Sequence, residues 1–278
     1  MSGFSFFIEI FTKKMQTLSS ETLNEIKFLL DDRYRRYNHF DFIETDPIQV
    51  PHTFGKKEDI EIAAFLTATI AWGQRITIIK NARRLMSLMD NAPHDFISNA
   101  TESDLEIFSD FKHRTFNAAD CKFFIRSLQN IYTNHEGLEG VFNKAYQSDN
   151  NISSSLIYFR KIFLEINHEK RTEKHLSDVN RNSSAKRLNM FLRWMVRHDE
   201  SGVDFGLWKN IPTSALMLPL DVHTGDVGRA LGLLTRTQND WKAVEEITAV
   251  LRNFDPVDPV KYDFALFGIG AFGEKDQI

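Results

Sequence analysis

The chain has 278 residues, 42% of them hydrophobic and 26% charged, and a formal net charge of −4. That length allows one large domain or two small lobes around a substantial core. The charge balance excludes a general attraction to nucleic acid, so such binding would need a local basic patch. A single cysteine, Cys121, excludes an internal disulfide and a Cys-ligated zinc or iron–sulfur centre.

The stretch 4–11 is apolar but interrupted by Glu9, lacks a basic leader and is too short to span a bilayer. A start at Met15 explains it equally well. The cytoplasm is the expected compartment, with no membrane partner. Helical periods dominate from there. Residues 21–38 put Leu23, Ile26, Leu29 and Leu30 on one face and Arg33, Arg35 and Arg36 at the far end. Residues 40–57 read as a loop holding Pro47 and Pro51. Residues 58–72 are apolar almost all round, which predicts a helix buried on every side. Gly73 and Gln74 break it, and 75–89 follows with Ile79, Ala82, Met86 and Met89 on one face. Short helices and turns are expected over 91–114, and helices over 118–132, 137–146 and 153–167. Cys121 falls in an apolar helix beside Phe123 and Phe124, as a packing residue. The polar stretch 168–184 reads as a mobile loop. Helices are expected again over 184–197, 221–231, 240–252 and 258–272, with 204–217 irregular. No alternating strand run, repeat or low-complexity tract occurs, so the fold class is all-α.

The most informative stretch is Leu218-Pro219-Leu220-Asp221-Val222-His223-Thr224, running into a segment that ends Leu231-Gly232-Leu233. Asp221 can cap the helix through its side-chain oxygen. Val227, Ala230, Leu231 and Leu234 recur at helical spacing as a buried face, and Gly232 stands where a left-handed turn ends a helix. The helix dipole favours a charged carboxylate there, which suits a developing cation. Taken alone, Asp221 is a plain helix cap. His223, four residues before Val227, falls on the apolar stripe as a packed core residue. Asp221, His223 and Asp226 could be read as metal ligands, but no further ligand cluster accompanies them, and neither metal nor cofactor is expected.

This segment resembles the catalytic-aspartate region of helix-hairpin-helix DNA glycosylases, the group containing endonuclease III and 8-oxoguanine glycosylase. The runs Lys186-Arg187-Leu188-Asn189-Met190-Phe191-Leu192-Arg193-Trp194-Met195-Val196-Arg197 and Lys261-Tyr262-Asp263-Phe264-Ala265-Leu266-Phe267-Gly268 resemble an uncharacterised bacterial family, known only as a domain of unknown function. The glycosylase resemblance implies a two-lobed helical fold, with 58–167 as one lobe and 1–57 plus 185–278 as the other, and DNA across the cleft. It implies that Asp221 stabilises an oxocarbenium-like sugar while water attacks it. It also places Gln74 where a side chain fills the gap left by an extruded base. The hairpin itself is degenerate: Trp208-Lys209-Asn210-Ile211-Pro212-Thr213-Ser214-Ala215-Leu216 has no Gly-x-Gly, and Lys209 is too close to Asp221 to be the nucleophilic lysine of bifunctional members.

Two basic clusters could meet phosphates. Arg75, Lys80, Arg83 and Arg84 occur with no acid until Asp90, and Lys80 and Arg84 share a helix face. The segment 170–200, which includes Lys186 and Arg187, holds eight Lys or Arg against four Asp or Glu. Trp208, in an irregular segment, reads first as a core anchor, with stacking on a base as its functional alternative. The expected activity is hydrolysis of an N-glycosidic bond at a damaged or modified base, with nucleic acid, DNA first, as the partner. Asp221 is the expected catalytic group, and Gln74, Arg75, Lys80, Arg84, Lys186, Arg187, Trp208 and His223 the expected contacts. A non-catalytic binding module on the same scaffold is the alternative.

Overall fold

The computed structural model describes residues 18–271; the 4–11 stretch and Met15 lie outside them. The described residues contain helices and turns but no strand, only the isolated bridges His113–Phe116 and Ser183–Asp240. The helices that matter here are α1 (Ser20–Tyr37), α2 (Phe42–Thr45), α3 (Lys57–Thr69), α4 (Arg75–Leu88), α5 (Pro93–Asn99), α6 (Ala118–Asn134), α7 (Gly137–Asp149), α8 (Ile152–Phe163), α9 (Lys186–Val196), α10 (Val222–Ala230), α11 (Trp241–Phe254) and α12 (Tyr262–Ala271).

Capping chemistry sets many of these boundaries. Ser19, Asn117, Asn151, Asp221 and Asp240 each accept a backbone N–H at the start of their helix. The end of α10 is a Schellman turn: Gly232 has φ +70°, its N–H reaches the Arg229 carbonyl, and the Leu233 N–H reaches that of Gly228. As its composition predicts, α3 is buried along most of its length and lies against α9. The last helix, α12, packs along α1 and against α10, so the two ends of the described chain meet. Buried apolar side chains form one continuous cluster, in which Phe65 touches the rings of Phe124, Phe159, Phe163 and Phe191.

Two segments expected to be loops, one of them mobile, are packed. Within 40–57 lie α2 and two short 3-10 turns, Pro47–Gln49 and Pro51–Thr53, each begun by a proline whose missing N–H costs nothing at that position. Within 168–184, the turn Lys170–His175 is drawn onto buried Asp120. Arg171 approaches that carboxylate at 2.7 Å, Thr172 at 2.9 Å and His175 at 3.2 Å. An expected mobile loop is therefore a tethered one, because its polar residues have a buried acid to satisfy.

Candidate active site

Asp221 is the N-cap of α10, where its two carboxylate oxygens have separate neighbours. Oδ1 accepts the Thr224 N–H at 3.1 Å, and the Thr224 hydroxyl in turn accepts the Asp221 N–H at 2.9 Å. Asn239 donates to the Asp221 carbonyl. Oδ2 faces Lys186 Nζ at 3.8 Å, and the aspartate side chain is 24% exposed. The carboxylate is thus fixed by the cap but open on one side. Close packing holds α10 in place: a Cβ on Gly228 would fall 2.7 Å from Ile247, and one on Gly225 2.6 Å from Asn239. These approaches explain why the buried face of α10 is Thr224, Gly225, Val227 and Gly228, with Ala230 exposed, rather than the stripe its larger apolar residues suggest.

Lys186 is the first residue of α9. The residue before it, Ala185, has φ +49°, a left-handed conformation that L side chains rarely adopt. No side chain caps α9 and its first turn has no acid. Two cations therefore stand at the positive end of a helix, an arrangement that the dipole disfavours unless negative charge lies nearby. Asp221 supplies some of that charge.

A second layer backs the pair. Asp263, from α12, accepts from Arg193, which also donates to Asp204 at 3.2 Å. Burial pushes Asp263 up to about 6 against the pull of Arg193, and the charge of Asp221 adds to the rise while Lys186 opposes it. Asp46, which caps the Pro47–Gln49 turn through the Ile48 N–H at 3.0 Å, is raised by burial against that bond and against Arg193, Arg75 and Lys186. Arg75, at the start of α4, lies 5.4 Å from the Phe267 ring centre, and Phe267 meets the His223 ring edge-on at 6.3 Å. The Arg187 guanidinium donates to the Thr69 carbonyl and lies 4.9 Å from the Trp72 ring centre. Burial lowers it to about 10.

The expected residues therefore divide. Asp221, Lys186, Arg75 and His223 are linked: Lys186 faces Asp221, and Phe267 of α12 lies between Arg75 and His223. Gln74 is exposed directly before Arg75. Arg187 turns inward to Trp72. Lys80 and Arg84 lie further along the exposed side of α4, where Arg84 reaches the Asp110 carbonyl at 3.4 Å. His223 is exposed, which corrects its placement on the buried stripe. Trp208 is also corrected: it is 1% exposed, packs on Phe142 and Phe191, and donates to buried Glu61 at 2.7 Å, so it has no face for a base.

Asp46, Trp72, Arg193, Asp263 and Phe267 were not singled out from sequence as site residues. Asp263 and Phe267 fall within the 261–268 run quoted above; Asp46 carried only the turn signal of Asp-Pro. Among the described residues no three His, Cys, Asp or Glu side chains gather as a metal site requires, and no helix is long and apolar enough to cross a membrane.

A family model described as "Protein of unknown function (DUF2400)" matches residues 46–272. No curated protein and no solved structure matches the chain.

Proposed function

Since the chain belongs to the DUF2400 family, whose description assigns no activity, its chemistry must be read from its own site, and we propose that it hydrolyses an N-glycosidic bond in DNA. The observation that carries this reading is the Asp221 carboxylate, held by its cap through one oxygen and open through the other beside Lys186. As the bond from C1′ to the base nitrogen breaks, its electron pair leaves with the base and positive charge builds on the sugar. A fixed carboxylate opposite that charge lowers the barrier, and water adds to C1′ while its released proton neutralises the departed base. The two-lobed glycosylase-like arrangement belongs to the same reading. Its support is the packing of α12 along α1, at the two ends of the described residues, and the resemblance around Asp221. Arg75, Lys80 and Arg84 would face the phosphates and Gln74 the gap left by the extruded nucleotide.

The test is base release from duplexes carrying a panel of modified bases. Asp221→Asn keeps a side chain able to cap α10, so it should fold and bind while losing about 10²–10³-fold in rate. Turnover unchanged in that variant would remove Asp221 from the chemistry. No turnover by the wild type, with binding intact, would favour the binding-module alternative.

The 3.8 Å approach of Lys186 Nζ to Asp221 supports a second path. The degenerate hairpin offers no nucleophilic lysine, but α9 brings one to the carboxylate. On this path the Lys186 ammonium gives one proton to Asp221 and its amine displaces the base at C1′, the base leaving with the bond's electron pair and taking a second proton; the third passes to O4′ as the C1′–O4′ bond opens, leaving an imine. Borohydride should then trap a covalent protein–DNA adduct in the wild type and not in Lys186→Gln. Absence of an adduct in an active wild type would leave water as the nucleophile.

A further inference from the structure

The end of α3, the start of α9 and the residues after the turn Lys170–His175 enclose a small cavity of about 10 Å³. Phe65 and Leu188 form part of its apolar wall, and Thr69, His175, Ser177 and Arg187 its polar one. No carboxylate among the described residues lines it. A guanidinium in the wall without an acid makes the space unsuited to a cation. Arg187 is the second residue of α9. Its guanidinium donates to the Thr69 carbonyl and lies over Trp72, and both of these partners are neutral. Burial works against its charge, and no acid among the described residues opposes that. Across the cavity wall, His175 is 5% exposed, and its Nε2 has no hydrogen-bond partner. The acid beside it, Asp120, is already held by Arg171 and Thr172. The first turn of α9, which lines the cavity through Arg187 and Leu188, has no side-chain cap and no acid.

We infer that this cavity binds a small monatomic anion, a halide such as chloride. Size and charge select the occupant. A space of about 10 Å³ suits something close to a water molecule in size and is too small for sulfate or phosphate. Water would meet the hydrogen bonds but leave the Arg187 charge uncompensated among buried groups. A halide does both: it can accept from the guanidinium and from the hydroxyls of Thr69 and Ser177, which line the same space. The ion would tie the end of α3 to the start of α9 and so steady Lys186, which precedes Arg187 and faces Asp221. No nucleic acid takes part, so the site stands whether or not the glycosidic reading does.

The test is the nuclear magnetic resonance linewidth of chloride with the full chain, at constant ionic strength and with gluconate as the balancing anion. The wild type should broaden the chloride line; bromide should reverse the broadening and sulfate should not. Arg187→Gln should weaken chloride binding by at least about tenfold. Ser177→Ala, a small change in a half-buried side chain, should weaken it less while keeping the wild-type melting temperature. Wild-type crystals soaked in bromide should show its anomalous signal against the Arg187 guanidinium, which locates the ion without any variant. Undiminished broadening in a folded Arg187→Gln, sulfate competing as well as bromide, or no bromide signal in this cavity would each overturn the inference.

Discussion

A carboxylate that caps a helix usually serves the fold, and Asp221 does that with Oδ1 alone. Its other oxygen faces an ammonium group from a distant helix. That contact, and not the cap, distinguishes Asp221 from Asp240, whose carboxylate caps α11 but is held by Arg236 and Asn182. Trp208 makes the opposite point. Its indole N–H, together with the Tyr132 hydroxyl, satisfies the carboxylate of buried Glu61. Trp208→Phe keeps most of the packing but removes one donor from a buried acid, at a cost of about 1–3 kcal/mol. Thermal unfolding should register that loss while duplex binding stays at the wild-type value. A binding defect with unchanged stability would restore the base-stacking role that burial denies it.

At the scale of elements, the tether around Asp120 has a pH signature. His175 is 5% exposed, and its Nε2 lies 3.2 Å from Asp120 without the alignment of a hydrogen bond. Burial lowers it to about 4, with Asp120 opposing and Lys174, Arg187 and Arg171 adding to the fall. Its unfolded value is near 6.5. Between these two values the unfolded chain takes up a proton that the folded chain refuses. The contribution of His175 is therefore whole above about pH 6.5 and is lost as pH falls towards 4. The loss is on the order of 2–3 kcal/mol. Urea unfolding across that window should show a drop in the wild type that His175→Gln flattens. An equal drop in both would place the titration elsewhere.

The helices themselves were legible where their signals are local. Asp221 and Gly232 mark the two ends of α10 within a dozen residues of sequence, and the apolar run of α3 predicts burial without any knowledge of its neighbours. What could not be read depended on residues far apart in the chain. The stretch 168–184 reads as loose until Asp120 is placed beneath it. His223 reads as buried until Gly225 and Gly228 turn the tight face of α10 towards Asn239 and Ile247. Lys186 and Asp221 meet only because α9 and α10 begin at the same place, and Asp46 joins them from before α3. Periodicity reports the face of one helix; it does not report which helix starts converge.

Across the whole molecule, that convergence is braced by buried charge. Arg193 and Arg197 share Asp204, Arg193 reaches Asp263, and Arg197 reaches Asp258 at 2.9 Å, Asp199 at 2.6 Å and the Tyr34 hydroxyl at 2.8 Å. α1, α9, α12 and the segment after α9 are thereby fixed together behind the Asp221 site. A net charge of −4 offers DNA no general attraction, so the proposed glycosidic reading rests on the cationic side of α4 and predicts binding that weakens steeply with salt. The most direct measurement is fluorescence anisotropy of two duplexes at low salt, identical except that one carries an abasic-site analogue. Tighter binding of the abasic duplex, retained in Asp221→Asn and weakened by added salt, is the predicted result. Equal affinity for both duplexes, or none for either, would contradict a site built to hold an opened nucleotide against the Asp221 carboxylate.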